Sequence, residues 1–166
     1  MHFHGIPPQV LEQITESAPK QFKILVVDDE EMTRDTLCAM LENPNYILQT
    51  AASGSEALMR ATSFVPDLIV MDIDLCDTMS GIDVCKSLKR LSITDDASVI
   101  FVTGRADLLS SAFAAGGVDY IHKPVNLPEL LARVNNQLKI RQLQLTLRSL
   151  CDYYESRLHQ VAAALN

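Results

Sequence analysis

The chain has no tryptophan, and aromatic residues make up only 5% of it. No apolar run approaches the ~20 residues a membrane-crossing helix needs. The N-terminus lacks the basic start and apolar middle of a secretory signal, so none is expected. Basic charge is scarce: 14 Lys and Arg stand against 21 Asp and Glu, a net charge of −7. Nucleic-acid binding needs a basic patch, and this balance argues against direct contact with one. The four cysteines, Cys38, Cys76, Cys85 and Cys151, form no Cys-x-x-Cys pair. Cys38 and Cys85 fall within apolar helix patterns and read as small core residues, so a reducing cytoplasm is the simplest setting. At 166 residues and 48% hydrophobic, the chain can build one packed domain with an appendage.

What is present is organised around Lys23-Ile24-Leu25-Val26-Val27-Asp28-Asp29-Glu30. A short apolar run reads as a strand buried on both faces, as inside a parallel sheet. The acids begin where the strand ends, and ligands of open α/β sheets sit beyond the carboxyl ends of strands. Adjacent carboxylates shift one another's pKa or share a hard divalent cation. The design recurs. Asp67-Leu68-Ile69-Val70-Met71-Asp72 ends in a carboxylate, Ser98-Val99-Ile100-Phe101-Val102-Thr103 in a hydroxyl, and Val118-Asp119-Tyr120-Ile121-His122-Lys123 in a lysine fixed before Pro124. Strand ends therefore deliver Asp-Asp, Asp, Thr and Lys in order. That set suits a phosphoryl group, whose charge calls for Mg²⁺, a cation and hydrogen-bond donors.

Helical patterns fill the gaps: residues 31–42 with Met32, Leu37, Met40 and Leu41 inward, a helix capped by Ser53 with Glu56 three residues on, Gly81 to Leu91, and 105–115 closed by Gly116-Gly117. Tyr46 to Ala51 supplies a fifth strand. Strands alternating with helices give an α/β fold with a parallel sheet covered on both faces. Before the first strand, Pro7-Pro8 opens a short helix through Leu11 and Ile14, ended by Pro19. His2-Phe3-His4 is not read as a metal site, and His122 reads as a surface residue and not a base.

This ordered set of motifs resembles the receiver domain of two-component response regulators over about residues 22–140. The resemblance implies a five-stranded, flavodoxin-like (βα)5 sheet in the order 2-1-3-4-5, the order of the family's chemotaxis member, with right-handed crossovers. It implies that Asp72 accepts a phosphoryl group from a sensor histidine kinase or phosphotransfer protein. Asp28, Asp29 and Asp72, with the backbone carbonyl of Asp74, would hold Mg²⁺. Lys123 would pair with Asp72 or its phosphate, and Thr103 and Tyr120 would be the switch residues. Arg105 stands where the family influences how fast the phosphate is lost, or is simply a solvated first-turn arginine. The extra carboxylate of Asp74 would modulate the site by either tightening Mg²⁺ binding or repelling the incoming phosphoryl group. Such a chain would be no enzyme beyond its own phosphorylation and dephosphorylation.

The loop after Asp72 departs from the family. Cys76 stands where most receivers have proline, and the following glycine, Gly81, arrives one residue late, so a longer, more mobile loop is expected. Two other readings compete. A degenerate receiver would serve only for docking or dimerisation. Asp72-Ile73-Asp74 also resembles the Asp-x-Asp motif of haloacid-dehalogenase-type phosphatases, although that family places its acidic pair last.

The last helix begins near Leu127-Pro128-Glu129, and neither Gly nor Pro follows from Glu129 to Asn166. Ile140, Leu147, Tyr154 and Val161 recur every seven residues, with Leu143 and Leu150 at the intervening seam positions and Arg157 breaking it. That spacing predicts a coiled coil and, most simply, a parallel homodimer through 140–165. The expected organisation is an N-terminal extension (1–21), a receiver domain (22–139) and a coiled-coil helix (140–166). No helix-turn-helix, cyclase or kinase motif follows, so the output lies in a missing C-terminal domain or in a partner protein, and the uncapped end favours a fragment.

Overall fold

The computed structural model describes residues 21–76 and 78–164, together with Pro8 and Glu12, both helical. His2-Phe3-His4 and the rest of the expected helix from Pro7 to Ile14 lie outside the described residues. Residues 21–138 form one compact unit, and residues 1–20 with 139–166 make up a second.

In the first unit, strands β1 (Phe22–Val27), β2 (Tyr46–Ala51), β3 (Leu68–Asp72), β4 (Ser98–Thr103) and β5 (Asp119–His122) alternate with helices α1 (Glu31–Met40), α2 (Gly54–Phe64), α3 (Gly81–Lys89) and α4 (Leu109–Ala114). Helix α5 (Leu127–Ala164) follows β5. The strands form one sheet in the order β2-β1-β3-β4-β5, and every pairing is parallel. Both the α/β class and the strand order match the expectation.

Successive side chains of a strand point to opposite faces, and the core divides accordingly. Leu25, Val27, Ile69, Met71, Val99 and Phe101 pack with Ala57 and Ala61 of α2, Val84, Cys85 and Leu88 of α3 and Ala112 of α4. Ile24, Val26, Leu68, Val70, Ile100, Val102 and Ile121 pack with Leu37 of α1, the adjacent Leu41, and Leu130, Val134 and Leu138 of α5. Two-sided burial explains why the central strands read as unbroken apolar runs and not as alternating ones.

Helix ends follow local chemistry. The Ser53 hydroxyl accepts from the Glu56 amide at the start of α2, and Glu56 reaches back to the Ala52 amide. Ser80 and Asp83 form a reciprocal capping box at the start of α3. Gly116, at φ 105, supplies the left-handed residue after α4. A 3₁₀ turn, Ala106–Leu108, precedes α4 and takes the first part of the helix expected over 105–115.

One inward assignment is corrected: Met32 is 75% exposed. The buried face of α1 runs through Leu37 and then Leu41. At 100° per residue, Met32 lies about 140° around the helix from Leu37, facing out.

In the second unit α5 continues as helix to Ala164. There Leu143, Leu147, Leu158 and Val161 are each more than half exposed. Among the described residues no helix is long and apolar enough to cross a membrane.

Candidate functional site

The site is assembled at the carboxyl ends of β1, β3, β4 and β5. Asp28 follows the last residue of β1, and its amide donates to Ala51 O. Its Oδ1 accepts the Glu30 amide at 2.9 Å, turning the chain into α1. Asp72 is the last residue of β3, and its Oδ1 accepts the Asp74 amide at 3.2 Å. Thr103 ends β4, and its hydroxyl accepts the Arg105 amide at 2.9 Å. Lys123 follows β5, with its amide on Thr103 O and a cis peptide to Pro124.

Those four strand ends converge. Lys123 Nζ lies 2.7 Å from Asp72 Oδ2 and 3.0 Å from Asp28 Oδ2. Asp28, Asp72 and Thr103 are each no more than 5% exposed. Burial pushes the Asp72 carboxyl above its ordinary range, against the pull of the Lys123 ammonium. Burial also works against charge on Lys123, but its hydrogen bonds to Asp72 and Asp28 outweigh that and hold it above its usual value. Lys123 therefore stays a cation at neutral pH. A buried charge must be paired, and here one ammonium serves two carboxylates.

Asp29 completes the cluster. One carboxylate oxygen from each of Asp28, Asp29 and Asp72 falls within 4.8 Å of the others. Oxygen donors at that spacing fit a hard divalent cation such as Mg²⁺, which takes carboxylate ligands at about 2.1 Å and keeps several waters. Three carboxylates beside one lysine leave a negative surplus that a divalent ion would cancel. The Cys76 thiol beside Asp29 holds that carboxyl below the usual range although partial burial opposes it, and the carboxylate in turn raises the thiol.

The flanking residues spread over the rim. Asp74 Oδ1 stands 3.9 Å from Arg105 Nη1, and Arg105 also makes a two-point contact with Asp107. Both Asp74 and Arg105 are more than half exposed. Tyr120 sits on β5 with its ring edge-on to Phe113, centroids 6.1 Å apart. The Arg133 guanidinium lies 5.7 Å from the Tyr120 ring centre and pairs with Asp119 and Glu129. His122 is exposed. A groove of about 340 Å³ beside the site runs from Met32, Thr36 and Met40 of α1 to Lys123, Pro124 and Val125.

The model of the response regulator receiver domain matches residues 24–135. The chain belongs to the receiver-domain family of two-component response regulators. It is 37% identical over 125 residues to the response regulator MprA of Mycobacterium ulcerans, covering 74% of this chain and 52% of that protein. It is 41% identical over 120 residues to the transcriptional regulatory protein YvrH of Bacillus subtilis, covering 70% and 48%. Among solved structures, a response regulator of Chloroflexus aurantiacus described as putative superposes with a TM-score of 0.68 at 31% identity, over 72% of this chain and 99% of that one. The chemotaxis protein CheY4 of Vibrio cholerae gives 0.65 at 26%, over 70% and 98%. The receiver spans about half the length of the curated relatives it matches.

Three contacts of the receiver site were not foreseen from sequence. Cys76, noted only as a substitute for proline, faces Asp29. Arg34 donates to the carbonyls of Asp28 and Asp29. Arg133 covers the Tyr120 ring. Only Arg34 left a visible trace, a cation one turn into the helix that follows the acid pair.

Proposed function

We propose that this receiver accepts a phosphoryl group on Asp72 from a phosphohistidine of a sensor histidine kinase or phosphotransfer protein. The observation that carries the reading is the single Lys123 ammonium shared by buried Asp72 and Asp28, within the cluster completed by Asp29. The Asp72 carboxylate forms the new O–P bond as the N–P bond of the donor breaks, and the released imidazole takes up a proton. Mg²⁺, when bound by Asp28, Asp29, Asp72 and the Asp74 carbonyl, offsets charge on the phosphoryl oxygens. Lys123 then pairs with a phosphoryl oxygen and leaves the carboxyl it had neutralised. The Thr103 hydroxyl, next to Lys123 through the β4–β5 ladder, supplies a hydrogen bond.

The consequence is a population shift. States in which Thr103 turns toward the phosphate and Tyr120 moves with it gain free energy over the resting state. Arg133 links Tyr120 to the first turns of α5, so the shift has a route into that helix. The exposed leucines of its distal part support a parallel homodimer through 140–165. Output would pass to a further domain or a partner protein, with the chain itself regulatory and not catalytic beyond its own phosphate. Four free thiols suit a cytoplasmic setting. Asp74 and Arg105, paired at the rim, would set how long the phosphate lasts.

The test is intact mass after incubation with acetyl phosphate and Mg²⁺, beside Asp72→Asn. One added phosphate on the parent, lost with chelator and absent from the variant, is the expected result. No adduct at any time, in protein that binds Mg²⁺, would sink the phosphoacceptor reading and leave a degenerate docking module.

A further inference from the structure

Arg34 stands on α1, behind the acid pair. Its Nη1 donates to Asp28 O at 2.8 Å and to Asp29 O at 3.1 Å, while its own amide donates to Glu30 O at 3.1 Å. One guanidinium nitrogen thus bridges two successive carbonyls at the turn where β1 becomes α1. The direction of each carbonyl is set by the ψ angle of its residue, so fixing both fixes the backbone that aims both carboxylates. The Asp28 amide on Ala51 O and the Glu30 amide on Asp28 Oδ1 constrain the same turn from the sheet side. From the helix side, Arg34 ties both carbonyls through one charged side chain, and the Thr33 hydroxyl donates to the Glu30 carboxylate at 2.7 Å.

We infer that Arg34 is a positioning residue for cation binding: it holds Asp28 and Asp29 in the geometry that admits Mg²⁺. The inference rests on the receiver reading of this cluster. Two effects carry it. The first is preorganisation. Without the bridge the two peptide units relax, and adjacent carboxylates move apart to lessen their repulsion, a cost the cation must reverse on binding. The second is charge. A guanidinium close behind the pair offsets that repulsion while itself taking up no carboxylate oxygen of Asp28 or Asp29. Partners of metal ligands commonly change metal affinity by 10–100-fold when removed. Arg34 acts on two ligands at once, but through backbone, which places the expected effect at the lower end.

The experiment is a Mg²⁺ titration by calorimetry and by thermal unfolding with and without the ion, on the full chain. The proteins are the parent, Arg34→Met, Arg34→Gln, Arg34→Lys and Asp29→Asn. Methionine keeps the apolar stem and removes the donors, whereas lysine keeps a cation able to reach both carbonyls. Arg34→Met should bind Mg²⁺ about tenfold more weakly, with the stabilisation by Mg²⁺ reduced to match. Arg34→Lys should recover most of the affinity. Arg34→Met with parental Mg²⁺ affinity, whether or not its ion-free melting point falls, would overturn the inference and leave Arg34 a structural tie. Should Arg34→Met not fold, Arg34→Gln decides: Mg²⁺ affinity several-fold below the parent's at a nearly unchanged ion-free melting point supports the role, and parental affinity overturns it. A parent that binds no Mg²⁺, like Asp29→Asn, would remove the receiver reading of the cluster and this inference with it.

Discussion

Gly81 lies directly against the backbone of Asp72. A β-carbon placed on Gly81 would overlap the Asp72 carbonyl oxygen and stand 3.1 Å from Ile73 Cα. The Gly81 amide also donates to Ile73 O at 2.9 Å. The base of the loop after Asp72 is therefore closed, with Gly81 against the Asp72–Ile73 backbone and the Ser80–Asp83 capping box starting α3 beside it. Gly81→Ala must push backbone, not a flexible side-chain end. It should destabilise the domain by about 1–3 kcal/mol and slow phosphorylation by acetyl phosphate at least several-fold. A urea melt and a phosphorylation time course check both. A variant matching the parent in each would show that the loop yields freely.

Met32 is 75% exposed at one edge of the groove that ends at Lys123. An exposed apolar side chain beside such a groove is a candidate contact for a phosphohistidine-bearing partner. Met32→Asp should lower phosphotransfer from such a partner by roughly tenfold, the scale of one lost apolar contact with a charge in its place. Phosphorylation by acetyl phosphate, which needs no docking, should be unchanged. Equal loss with both donors would place Met32 in the site itself.

The distal part of α5 carries Leu143 and Leu147 at 64% and 60% exposure. A leucine stripe of this kind is buried when two copies align. Sedimentation should give twice the chain mass for the parent at micromolar concentration, and Leu143→Glu with Leu147→Glu should give the single-chain mass. A parent at the single-chain mass would remove the dimer.

Cys85 gives a pH dependence away from the acidic cluster. Its thiol is buried on α3, donates to Ala115 O at 3.4 Å, and burial pushes its pKa from 9.0 up to about 11. The folded chain thus holds this proton more tightly than the unfolded chain. Its contribution is complete below about pH 9 and is lost as pH rises through about 11. The loss is on the order of 2 kcal/mol. Urea midpoints of the parent and Cys85→Ala should converge as pH rises across that window, since alanine has no proton to lose. A gap independent of pH would contradict the burial effect.

The sequence by itself determined what is local. Five apolar runs, the acids, hydroxyl and lysine that end them, and the cap at Ser53 all follow from spacing along the chain. Side-chain periodicity and capping act over a few residues, so they can be read without knowing the fold. The strand order came from the family resemblance and not from spacing. Met32 was misplaced because its position in the first turn of α1 gave an apolar residue without a reliable phase; Leu37 and the packing against β1 and β3 set which side of that helix is inward. The tertiary structure alone decided which distant groups meet. Lys123 reaches Asp72 across 51 positions and Asp28 across 95, Cys76 turns to Asp29, and Arg34 closes on two carbonyls. Those meetings depend on sheet register, crossovers and the path of a loop. Such properties arise from burial on both faces of the sheet, which no short stretch of sequence contains.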